Sequence, residues 1–70
     1  MEKLTNRVRV CRAEKDISQE TLAAAIGVSR QTIIAIEREN YSPSVALAMK
    51  IAKYFGKPLE EIFELETDSK

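Results

Sequence analysis

The stretch from Ser18 to Glu37, SQETLAAAIGVSRQTIIAIE, holds two serine-capped helical runs separated by one glycine, and it leaves the chain few folds to choose from. Ser18 carries a hydroxyl able to accept from the free N–H groups of a helix's first turn, so a helix is expected from Gln19. Leu22 and Ile26 fall one turn apart on a single stripe, and Ala23 beside them is small enough to let another helix cross closely. Gly27 follows the last apolar residue, where helices commonly end in a left-handed conformation that costs glycine little. Val28 is the one buried-type residue of the turn and Ser29 is a second cap, which predicts a second helix over Arg30 to about Glu39. Two helices joined by so short a turn cross steeply.

At about 100° per residue, Ile33 and Ile36 share one side of that second helix, with Thr32 and Glu37 on its flanks. This side is core. Arg30, Gln31, Ile34, Ala35 and Arg38 share the opposite side, and no other segment of the chain is left over to cover its two apolar members. A partner is expected there. Duplex DNA suits the chemistry, because Gln bonds bidentately to adenine, Arg to guanine, and Ile or Ala methyls meet the thymine methyl. A groove on another protein is the alternative cover.

On these residues the stretch resembles the helix-turn-helix of the phage-repressor (Cro-like, XRE) family of transcriptional regulators. The resemblance rests on apolar Leu22, Ile26, Val28, Ile33 and Ile36, small Ala23, the turn Gly27, the opening Gln19 and the SRQT start of the second helix. It continues through NYSPSVALAMKIAKYFGKPLEEIF, and in size the chain is similar to minimal single-domain members such as the cytolysin repressor. It implies an all-α, five-helix lambda-repressor-like DNA-binding domain whose third helix reads DNA through Arg30, Gln31, Thr32, Ile34, Ala35 and Arg38. In such minimal members an N-terminal segment pairs with the segment after helix five, here Lys3 to Thr5 with Glu64 to Glu66. The other reading of ELETDSK is a frayed end. The resemblance also implies backbone contacts from Asn40, Tyr41 and Ser42, and an ion pair of Arg12 with Glu37 that orients the reading helix. Unrelated surface charges are the bland reading of that pair. Gln19 and Ser29 open helices whose N-termini favour a phosphate oxygen, so both are expected to clamp the DNA backbone. Many family members have glycine where this chain has Glu39, so the helix is expected to end slightly later, with Asn40 left-handed.

A 70-residue chain makes one domain, 1–70, with its motif at 18–39 and an acidic tail at 64–70. A chain this short buries only about 60% of its unfolded surface and usually needs a staple. One Cys and no His supply neither an internal disulfide nor an ordinary zinc site, so dimerisation is the expected supplement. Helix one is predicted over Thr5 to Lys15, with Leu4, Val8 and Cys11 at helical spacing, followed by an Asp16 turn and Ile17 in the core. Helix four should start after Ser44, bury Leu47, Ala48, Ile51, Ala52 and Phe55, and stop at Gly56. Helix five should start at Pro58 and bury Leu59, Ile62 and Phe63. Tyr54, Phe63 and Leu65 are the expected subunit contact, although Tyr54 alone equally suits a wet surface.

The formal charge is zero, with eleven basic and eleven acidic residues. Residues 1–57 nevertheless hold ten Lys and Arg against six Asp and Glu, while five acids fall in the last eleven residues. Segregated acid leaves the motif side basic and weakens non-specific affinity, which rests on phosphate neutralisation. Catalysis has no foothold: there is no His, Cys11 lies on an apolar stripe, and both glycines serve helix ends. No stretch reaches the roughly 20 apolar residues of a membrane span, and no signal peptide opens the chain. The sequence therefore points to a cytoplasmic, homodimeric, sequence-specific DNA-binding regulator. Its simplest output is repression at an inverted-repeat operator, with no metal, cofactor or small-molecule effector domain. An antitoxin or anti-repressor that uses the same fold to bind protein is the alternative.

Overall fold

Serine hydroxyls and left-handed residues punctuate this chain into its elements. In the computed structural model, which describes residues 2–67, the order is β1 (Glu2–Asn6), α1 (Val8–Lys15), α2 (Gln19–Ile26), α3 (Arg30–Glu37), α4 (Val45–Phe55), α5 (Leu59–Ile62) and β2 (Phe63–Thr67). Ser18, Ser29 and Ser44 each accept from the backbone N–H three residues on, opening α2, α3 and α4. Each such cap contributes about 1 kcal/mol. Gly27 and Gly56 close α2 and α4 at φ 78° and 66°, and Asp16 closes α1 in the same left-handed region.

The core lies where the five helices converge. Val8, Leu22, Ile33, Ile36 and Ile51 are fully buried, and Cys11, Ala23, Ile26, Ala48, Ala52, Phe55, Ile62 and Phe63 complete the cluster. Ile17, Val28, Leu47 and Leu59 pack against it half-buried. The five-helix, mostly helical architecture expected of the sequence is thus present.

Two boundaries differ from expectation. Helix one begins at Val8 rather than Thr5, because Leu4 and Thr5 belong to β1, which pairs antiparallel with β2 in the register Leu4↔Leu65 and Asn6↔Phe63. Asn6 marks the change of structure: its Oδ1 accepts from Val8 N–H at 3.1 Å, satisfying a free donor in the first turn of the new helix. The pairing expected over Lys3–Thr5 and Glu64–Glu66 is there, one residue longer at each end. The acidic tail therefore begins as strand; Asp68, Ser69 and Lys70 lie outside the described residues. Second, α3 ends at Glu37, and Glu39 instead of Asn40 takes the left-handed conformation, at φ 62°. The bonds Asn40 N–H to Ala35 O and Glu39 N–H to Ile36 O form a Schellman motif, whose left-handed position is residue 39. Glu39 accordingly occupies the left-handed position that glycine adopts at least cost.

Candidate nucleic-acid interface

The turn between α2 and α3 is fixed locally. Left-handed Gly27 redirects the chain, Val28 N–H bonds Ala23 O at 3.0 Å, and Ser29 Oγ accepts from Thr32 N–H at 3.2 Å. Thr32 also faces Ser29 with its hydroxyl at 3.1 Å, which makes it part of the cap. With the turn set, the 3.6-residue period divides α3 into two sides. Ile33 and Ile36 enter the core, while Arg30, Gln31 and Arg38 stand exposed. Ile34 and Ala35 are half-buried but belong to neither the core nor the layer packed on it.

Two sets of contacts tie the end of this helix to its neighbours as braces. At one, Arg12 Nη2 donates to Glu37 Oε1 at 3.0 Å, Arg12 Nε donates to Oε2, and Gln19 Nε2 donates to Oε1 at 3.1 Å. Arg12 Nη1 donates in addition to Ile17 O at 3.0 Å. The hydrogen bonds to Glu37 hold the guanidinium above its ordinary pKa, so it stays charged. The expected pair of Arg12 with Glu37 is therefore formed. Gln19, expected as a phosphate clamp, has its side-chain N–H committed to this pair, and any part it takes at a phosphate falls to the opening of α2.

The second brace was not read from the sequence. Asn6 Nδ2 donates to Ile36 O at 2.8 Å, and Lys3 Nζ pairs with Glu39 at 3.3 Å, so strand β1 grips the C-terminal end of α3. The available signal was Asn6 itself, a capping residue two positions before an apolar run. Its second bond, to a residue 30 positions away, has no local signature.

Arg30, Ile34, Arg38 and Ser18 line a groove of about 580 Å³ between α1, α2 and α3, with Arg9 on its α1 wall. Asn40, Tyr41 and Ser42 form the exposed loop that follows α3. The three residues expected at a subunit contact do not come together. Phe63 is buried in its own core, and Tyr54 is half-buried against Phe55 with Lys15 Nζ 5.6 Å from its ring centre. Leu65 alone stands open, 61% exposed, because β2 carries it past the core that Phe63 enters. Cys11 is also buried, and loss of solvation pushes its thiol pKa up. Among the described residues no group of His, Cys, Asp or Glu is placed to hold a metal ion, and no helix is long and apolar enough to cross a membrane.

The family model for helix-turn-helix proteins matches residues 8–62, which span all five helices. The chain belongs to the XRE-type helix-turn-helix family of DNA-binding transcriptional regulators. An HTH-type transcriptional regulator of Methanocaldococcus jannaschii is 52% identical over 65 residues, covering 93% of this chain and 98% of that protein. The cryptic phage CTXphi transcriptional repressor RstR of Vibrio cholerae is 36% identical over 58 residues, covering 83% of this chain and 52% of its own length. Among solved structures, the restriction-modification controller protein C.AhdI from Aeromonas hydrophila superposes with a TM-score of 0.71 at 31% identity, covering 77% of this chain and 78% of that one. Both α2 and α3, with the turn at Gly27 between them, lie within the matched span. The family consists of DNA-binding regulators rather than enzymes.

Proposed function

We propose that the chain is a sequence-specific repressor that binds an inverted-repeat operator as a homodimer and lays α3 in the major groove. The observation that carries this reading is the outer side of α3. Arg30, Gln31 and Arg38 are exposed around half-buried Ile34 and Ala35, and the C-terminal end of the helix is held by Asn6 and Arg12. Arg30 supplies two donors for guanine O6 and N7, Gln31 supplies one donor and one acceptor for adenine N7 and N6, and Ile34 and Ala35 supply methyls for thymine. Ser29 at the opening of α3, Gln19 at the opening of α2 and the loop Asn40, Tyr41 and Ser42 hold the sugar-phosphate backbone. Two such helices related by a two-fold axis would address half-sites about 34 Å apart. RstR, described as a repressor, supports that output. The cytoplasm is the compartment in which such a protein would work.

Leu65, with Leu4 and Leu59, lines an apolar-leaning groove of about 990 Å³ rimmed by Arg7, Glu60 and Glu64. The open Leu65 side chain beside this apolar lining suits a contact with a second copy, which we assign to this end, through Leu65 rather than Tyr54 or Phe63. Selection of bound fragments from random duplex DNA tests the whole reading, because a recovered palindrome gives sequence, symmetry and spacing together. Gln31→Ala should then lose roughly 1–3 kcal/mol of discrimination at one base pair. Loss spread evenly over all sequences would remove the base-reading role, and salt-insensitive docking on a protein would favour an antitoxin or anti-repressor.

A further inference from the structure

We infer that Arg9, on α1 and outside the helix-turn-helix motif, holds a phosphate of the DNA backbone in the groove between α1, α2 and α3. This rests on the DNA-binding reading above and names one more contact in it. Three arginines belong to α1 and its cap, Arg7, Arg9 and Arg12. Arg7 is turned to the sheet end, where it donates to Glu61 O at 3.3 Å and reaches Glu64 at 3.9 Å. Arg12 is spent on Glu37. Arg9 lies three residues before Arg12 and so on the same face of α1, the face that meets α3. It is exposed, and among the described residues no carboxylate stands within ion-pair distance of it, of Arg30 or of Arg38.

Those three guanidinium groups line one groove of about 580 Å³. The single acid on its wall, Glu37, already accepts from Arg12 and Gln19, so it offers the other cations little. Ser18 and Gln19 put the opening of α2, with its outward N–H dipoles, on the same wall. Three uncompensated cations around one polar concavity raise the local potential and attract an anion. Because Arg30 and Arg38 stand on the helix that enters the major groove, the anion brought to Arg9 is a phosphodiester flanking that groove. Arg9 is therefore an anchoring residue, one that fixes how deeply α3 sits and reads no base.

The test measures affinity of the full chain and of Arg9→Gln for a selected operator and for a random duplex of equal length, over a salt series. Arg9→Gln should weaken both duplexes by the same factor and flatten the slope of log affinity against log salt by about 0.9 per protomer. Arg9→Lys should keep the slope. An unchanged slope in Arg9→Gln overturns the assignment, and a loss confined to the operator does so as well. Neutral methylphosphonate substitutions along the duplex give an independent measure that needs no exact folding match. The substitution that weakens the wild-type chain at the flanking phosphate should leave Arg9→Gln unaffected, whereas equal weakening of both proteins refutes the contact. Inorganic phosphate at matched ionic strength should compete no better than chloride; specific competition would make this a free-anion site. A wild-type chain that shows no salt-dependent DNA binding would bring down the DNA-binding reading itself, an outcome distinct from an unchanged slope.

Discussion

Replacing Glu37 with Gln keeps the shape of the side chain and removes the charge on which the first brace is built. The Glu37 side chain is 6% exposed and that of Arg12 is 15% exposed, so the pair is far from a surface ion pair. Glu37 accepts from Arg12 Nε, Arg12 Nη2 and Gln19 Nε2. Removing one partner of a buried pair costs about 3–5 kcal/mol, mostly because the other charge is left uncompensated. Arg12 keeps its bond to Ile17 O, and the Gln amide oxygen still accepts one bond, so the expected cost is lower, roughly 2–3 kcal/mol. For a domain of this size that is a drop in Tm on the order of 10–20 °C. Urea denaturation of Glu37→Gln, Arg12→Met and the double variant carrying both substitutions closes a cycle. The double variant should cost clearly less than the sum of its parts, because no charge is left alone in it. The full brace also sets the pitch of α3, so operator affinity of Glu37→Gln measured well below its melting temperature should fall too. A cost below about 0.5 kcal/mol for Glu37→Gln, the range of exposed pairs, would show that the brace carries no more than a surface contact.

Glu39→Gly should stabilise the fold by up to about 1 kcal/mol, since a non-glycine residue at φ 62° pays for a crowded Cβ; loss of the Lys3 contact offsets a few tenths, and a lower denaturation midpoint would contradict the assignment of strain. Asn6→Asp keeps the acceptor that caps Val8 but loses the donor to Ile36 O, and it should cost about 1–3 kcal/mol in denaturant titrations. Wild-type stability in that variant would remove β1 as a brace. Burial raises the Cys11 thiol pKa, so the folded state keeps the proton to higher pH than the unfolded chain. The resulting stability is complete below the ordinary thiol value of about 8.5 and is lost as pH rises through the folded value. Urea midpoints at neutral and alkaline pH should fall more steeply for the wild type than for Cys11→Ala, and parallel curves would refute the linkage.

The helix-turn-helix was legible because its determinants are local. Ser18, Gly27 and Ser29 specify caps and a turn within a few residues of themselves, and the 3.6-residue period then assigns Ile33 inward and Arg30 outward. The first segment misled because Leu4, Val8 and Cys11 have helical spacing whichever side of Asn6 the helix begins. What decides is β2, whose Glu64 O lies 59 positions from the Thr5 hydroxyl that donates to it. Phe63 was expected both in the core and at the subunit contact, and it lies in the core. It shares a sheet face with Leu65, two residues on, but the core ends between them, and no local pattern tells where a core ends. Gln19 was read from its place at a helix opening, whereas its side chain answers to Glu37 on the next helix.

This division between local and distant determinants separates two properties of the reading helix. Its pitch depends on Arg12, Gln19, Asn6 and Lys3, which belong to three other elements and act through Glu37, Ile36 and Glu39 near its end. Its chemistry depends on Arg30, Gln31 and Arg38, whose side chains make no hydrogen bond or ion pair among the described residues. Exposed positions of this kind usually change stability by less than about 0.5 kcal/mol when substituted. Substitutions on the outer side should therefore alter which sequences are preferred while leaving the melting curve nearly unchanged. Substitutions of Arg12, Asn6 or Glu37 should lower affinity for every sequence together with stability. A variant of Gln31 or Arg38 that lost several kcal/mol of stability would mean that the outer side is packed by its own subunit, and the separation of orientation from recognition would fail with it.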